Sequence, residues 1–105
     1  MTVAIGCVPI VWNNVDLPDL APMAPYGEIL DAFARLGYEG TQHGRGFPEG
    51  AALRAELTRR NLRFAELYSA LPADADGLTE EADAIARTDL ARLVAAGGEV
   101  LVVAI

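Results

Sequence analysis

Three short stretches hold the residue types that could do chemistry. Trp12, Asn13, Asn14 and Asp16 form the first, Gln42, His43 and Arg45 the second, and Glu66, Tyr68 and Ser69 the third. Each stretch closes an apolar run. A tryptophan face beside amides, carboxylates and hydroxyls suits a polyhydroxylated small molecule, because it offers a flat apolar wall together with directional hydrogen bonds. Glu66 stands between Ala65 and Leu67 in an apolar strand, where a carboxylate needs a partner, and this sets it apart from the surface acids. Every candidate also has a plainer reading. Trp12 can cap the core at a strand end, and Asn13 and Asn14 can be turn residues that tolerate left-handed backbone angles. Asp16 and Asp19 read as solvated loop acids. His43, the sole histidine, makes no metal site alone and can be a satisfied structural residue. Strand alternation puts Gln42 and His43 on opposite faces, so at most one points into a barrel. Cys7, mid-strand, reads as a small buried hydrophobe.

Several chemistries drop out. After Gly44-x-Gly46 the third glycine of a dinucleotide fingerprint is replaced by Glu49. The chain has no lysine, which removes a phosphate-loop lysine, a Schiff base and pyridoxal-phosphate attachment together. No G-x-S-x-G or C-x-x-C occurs, against a serine hydrolase and against zinc or thiol redox work. The net charge of −7 argues against nucleic acid and anionic membrane as partners. No apolar run approaches the ~20 residues of a membrane span, and the N-terminus lacks a secretory signal pattern. One cysteine leaves no internal disulfide, so a reducing, cytoplasmic setting is expected.

The elements that must position these residues follow from periodicity. Residues 3–12 form an apolar run without alternation, as in a strand buried on both faces; Pro9 should end its regular part near Val8 or bulge it. A proline-rich loop spans 13–25. Tyr26, Ile29, Leu30, Phe33 and Leu36 fall at helical spacing, with Pro25 at the first helical position, Gly37 as the stop and an Asp31–Arg35 pair outside. A strand is expected over 38–44 and a helix over 48–60, with Leu53 and Leu57 inward, a Glu56–Arg60 pair outward and Asn61 as its C-terminal cap. A strand follows over 62–71. Asp74 and Asp76 introduce a helix over 78–96, whose inward stripe is Ala82, Ile85, Ala86, Leu90, Leu93 and Val94. Residues 100–105 read as a fourth buried strand. The order β-α-β-α-β-α-β predicts a parallel α/β sheet, with any ligand site at the carboxyl ends of the strands.

Two stretches carry a family resemblance. Ile5-Gly6-Cys7-Val8-Pro9-Ile10-Val11-Trp12-Asn13-Asn14-Val15-Asp16-Leu17-Pro18-Asp19-Leu20 resembles the opening of the inosose dehydratases, members of the xylose-isomerase-like sugar-phosphate isomerases and epimerases, which begin near I-G-x-x-P-I-x-W and continue with an Asn-Asp-Asp-x-Pro-Glu type loop. Leu36-Gly37-Tyr38-Glu39-Gly40, leading to Phe47-Pro48, is similar to that group's second strand. The resemblance implies an eight-stranded (β/α) barrel, a divalent metal (Mn, Co, Mg or Zn) at the carboxyl ends of its strands, and a sugar or cyclitol substrate. It further implies metal-assisted proton abstraction next to a carbonyl, leading to isomerisation, epimerisation or loss of water. Trp12 and Asn14 match positions that would face the substrate. Asp16 matches one of two loop acids, Val15 replaces the other, and Gln42 stands where many members have glutamate. The family's metal ligands come from the barrel's second half, so none is assignable in this chain.

A closed barrel of this kind has eight strands and ~250 residues. Residues 1–105 are therefore expected to be its N-terminal half, with strands one to four and helices one to three: a fragment, or a chain completed by a missing C-terminal half. Alone it would be inactive. The alternative is a non-catalytic α/β half-barrel module that binds a small molecule or closes as a homodimer, four strands with four. A flavodoxin-like domain fits the strand count, but the loop after the first strand does not look phosphate-gripping.

Overall fold

The computed structural model describes residues 2–105. Its main sheet has four parallel strands in the order β1 (Gly6–Cys7), β2 (Gly40–Gln42), β3 (Arg63–Ala70) and β6 (Leu101–Ala104). Helices α1 (Tyr26–Leu36), α2 (Gly50–Arg59) and α3 (Glu80–Ala95) make the crossovers. This is α/β with parallel βαβαβαβ order, the first half of a (β/α)8 barrel pattern. A two-stranded antiparallel hairpin, β4 (Ala73–Asp74) with β5 (Gly77–Leu78), stands outside that sheet.

The first strand is cut short where proline predicts. Pro9 opens a single 3-10 turn, Pro9–Val11, because it cannot donate to the ladder. Cys7 is half-buried and packs against the core. Helix α1 covers the expected residues, but Pro25 is its N-cap and not its first helical residue. The reason is its extended ψ of 137°, while its carbonyl already accepts from the Glu28 and Ile29 amides. Gly37 ends α1 at φ 86°, a left-handed angle that costs glycine little. Asn61 takes the same region at φ 56° after α2.

Burial joins the helices to one face of the sheet. Ile29, Leu30 and Phe33 of α1, Leu53 and Leu57 of α2, with Phe47, Leu62 and Ala96, make one core. Arg60 ties α2 to α1, donating to Asp31 and Glu56 at 2.6 Å each. The expected Glu56–Arg60 pair is there; the expected Asp31–Arg35 pair is not, because Asp31 turns to Arg60.

Three further expectations change. The third helix starts at Glu80 and not at 78, because Asp74 caps a turn (its Oδ1 accepts from Asp76 N–H) and Gly77 closes the hairpin at φ 119°. The α3 stripe is narrower than its spacing suggests. Ala82 and Leu93 are buried but Leu90 and Val94 are exposed, since α3 packs on β3, on α2 and on the edge strand β6, and no helix covers its far side among the described residues. β6 is not a buried strand either: Val102, in register with Tyr68, is exposed on the helix-free face, and Val103 and Ile105 are exposed at the sheet edge. Leu36 likewise lies outside the core.

Candidate functional site

The carboxyl ends of β1, β2 and β3 open into a hollow of about 660 Å³. Val8, Asp16, Gln42, His43, Arg45 and Tyr68 are among the residues that line it. Its floor depends on an irregularity in the ladder. Thr41 pairs with Phe64, but Gln42 pairs with Glu66, so Ala65 is an extra residue in β3. A one-residue insertion reverses the faces that follow. Phe64 packs against the helix-side core, and beyond the bulge Leu67 and Ser69 are buried on that side as well. Glu66 and the exposed Tyr68 are thereby turned to the opposite, helix-free face. There Gln42 Nε2 donates to Glu66 Oε1 at 2.6 Å, and Glu66 Oε2 is buried with no partner among the described residues.

His43 goes the other way. Its ring packs against Phe47 and Phe64, with centroids at 5.9 and 6.3 Å. Nε2 lies 3.1 Å from Glu49 Oε1, off the line of a hydrogen bond. Arg92 of α3 grips the same carboxylate with two N–H groups and also donates to Asp89, whose other oxygen accepts from buried Ser69. Burial lowers the His43 pKa below its ordinary 6.5, against the opposing pull of Glu49. The Arg92 hydrogen bond holds Glu49 below its ordinary 4.5. Gln42 and His43 thus diverge as alternation requires, with the amide on the open face and the imidazole in the scaffold.

The loop after β1 separates its candidates. Asn14 Oδ1 accepts from the Asp16 and Leu17 amides, a side-chain turn that brings Asp16 to the rim of the hollow. Trp12 is half-buried edge-on to Phe33 at 5.3 Å, and with Asn14 it lines a separate, smaller recess under the loop. Asn13, 3% exposed, donates to the carbonyls of Ala24 and Arg45 and accepts from the Ala24 amide. The hollow therefore collects Asp16, Gln42, His43 and Tyr68, with Glu66 outside its lining but hydrogen-bonded to Gln42, and leaves Trp12 and Asn14 to one side. Asn13 as a bridge between loops, and Glu49 and Arg92 as the partners around His43, were not foreseen. Pairs 32 to 43 residues apart leave no periodic signal in a sequence.

Curated proteins of one kind match this chain. An inosose dehydratase of Bacillus licheniformis is 36% identical over 77 residues, 73% of this chain and 26% of that protein. One from Lacticaseibacillus casei is 33% identical over 106 residues, 99% of this chain and 35% of that protein. The chain belongs to the inosose dehydratase-like family. It spans about a quarter to a third of the length of these relatives. No protein-family model matches it. No helix is long and apolar enough to cross a membrane among the described residues.

The donors at hand do not suit the divalent metal that the resemblance implies. No three His, Cys, Asp or Glu side chains converge among the described residues. Glu66 Oε1 already accepts an amide N–H, and the neighbouring Gln42 presents a donor where a cation needs a lone pair. These residues do not fit a metal centre.

Proposed function

We propose that this chain supplies the first four strands of a barrel enzyme of the inosose dehydratase kind, acting on a keto-cyclitol or related sugar, and that Gln42, Glu66, Tyr68 and Asp16 contact the substrate. The observation that carries the reading is the Gln42–Glu66 pair. It is a carboxylate and an amide on the open face of an apolar strand, joined at 2.6 Å, with the second carboxylate oxygen left free. A buried carboxylate oxygen without a donor is costly, and a substrate hydroxyl is the group that would answer it. In that role Glu66 accepts a hydrogen bond from a ring hydroxyl and Gln42 fixes the carboxylate's orientation. Tyr68 offers an exposed ring and hydroxyl beside them. Trp12 and Asn14 act one step removed, by setting the loop that carries Asp16.

Isomerisation, epimerisation and loss of water all begin with proton abstraction next to a carbonyl. The metal that assists this in the family would be held by residues outside 1–105. A cytoplasmic setting agrees with the lone cysteine. The test is calorimetric titration of the protein with an inosose, alongside Gln42→Ala and Glu66→Gln. Saturable binding lost in both variants supports the reading. Binding retained in both refutes it.

A further inference from the structure

We infer that Asn13 is a positioning residue that clasps the loop after β1 to the loop after β2, and so sets the mouth of the hollow. Its carboxamide is buried and both of its N–H donors are used: Nδ2 donates to Ala24 O at 2.9 Å and Arg45 O at 3.1 Å, and Oδ1 accepts from Ala24 N–H at 2.7 Å. One side chain thereby joins the far end of its own loop to the neighbouring one. Close packing at the same seam points independently to the same coupling. A Cβ on Gly44 would meet Pro9 Cγ at 2.5 Å, and one on Gly46, itself at φ 83°, would meet Met23 Sδ at 2.8 Å. At Gly44 the close approach is to the rigid rings of Pro9 and Phe47, which packs the second loop directly against the turn that follows β1. Asp16 rides on the first loop and Arg45 on the second, and both line the hollow. Arg45 also reaches back to Pro18 O at 3.4 Å, a looser tie that cannot replace the buried carboxamide.

The consequence for binding rests on the proposed substrate end of the sheet; the coupling of the loops does not. The experiment therefore has two arms on Asn13→Ala and Asn13→Asp in the full chain: amide hydrogen exchange without ligand, and calorimetric affinity for an inosose. Asn13→Ala should raise exchange in both 14–24 and 44–47, with the core helices protected as before, and weaken affinity on the order of tenfold. Asn13→Asp keeps the acceptor for Ala24 but sets a carboxylate against the Arg45 carbonyl, so it should loosen 44–47 as the alanine variant does. In Asn13→Ala, faster exchange in only one loop, or unchanged affinity with both loops loosened, overturns the clasp as a positioning device. If the parent protein binds no inosose, the substrate reading fails, and the exchange arm still decides the coupling.

Discussion

Replacing Glu66 by methionine separates a residue kept for chemistry from one kept for stability. In the folded chain this carboxylate gains one hydrogen bond from Gln42, at 2.6 Å, and leaves its second oxygen buried and bare. A hydrogen bond to a charged group contributes roughly 1.5–3 kcal/mol, and desolvating a carboxylate costs several kcal/mol. The two nearly cancel, so Glu66→Met should change stability by about 1 kcal/mol or less, or raise it. Gln42→Ala is different, because it strips the only donor from the carboxylate and leaves the cost in place. It should destabilise by about 2 kcal/mol, which for a domain of this size lowers Tm by roughly 8–16 °C. With Glu66→Met already present, the loss from Gln42→Ala should shrink, giving a coupling of about 1–2 kcal/mol. Urea unfolding followed by circular dichroism and by the single tryptophan, Trp12, measures all four corners of the cycle. If Glu66→Met destabilises as much as Gln42→Ala, the carboxylate is a structural strut and its assignment to substrate is wrong.

Two further perturbations probe the frame around that pair. His43 is held below its ordinary 6.5 chiefly by burial, and Glu49 below 4.5 chiefly by Arg92. In each case the unfolded chain binds the proton more readily, so stability is complete above the unfolded pKa and falls as pH drops through the folded one. The urea midpoint should therefore decline first below about pH 6.5 and again below about 4.5, with His43→Leu removing the upper stage; a midpoint that stays level through the upper stage would contradict the placement of His43. Gly44→Ala puts a methyl group 2.5 Å from Pro9 Cγ and within 3.0 Å of the Phe47 ring, so it should cost about 1–3 kcal/mol and shift Trp12 emission; a neutral effect in unfolding would show that the seam yields.

The parts of this fold that were legible in the sequence are those written by local rules. Ile29, Leu30 and Phe33 repeat at helical spacing and are buried together; Gly37 and Asn61 stop helices at the left-handed angles their types allow. Pro9 ends β1 where a missing donor must. The places that escaped are decided by contacts between distant segments. Asp31 reads as a partner for Arg35 by spacing, but Arg60 arrives from the end of α2 and takes it. Asp74 and Asp76 look like a helix introduction until Gly77 closes a hairpin that only the folded chain reveals. Leu90 and Val94 complete an apolar stripe that has nothing to pack on.

The same division explains the site. Strand alternation separates Gln42 from His43, but alternation without the extra residue at Ala65 would put Glu66 on the face that Phe64 occupies, among the core side chains. The insertion changes the meaning of the carboxylate. On the helix side Ser69 is partnered by Asp89, and Arg92 by Asp89 and Glu49, while His43 Nε2 is buried without a hydrogen bond. A neutral ring nitrogen left unpartnered costs less than a carboxylate oxygen, so the two unpartnered atoms do not weigh alike. On the open face Glu66 is answered only by half. A strand that departs from its ladder carries this carboxylate away from the core and leaves one oxygen without a partner among the described residues. The proposed substrate contact rests on that bulge more than on any single polar residue.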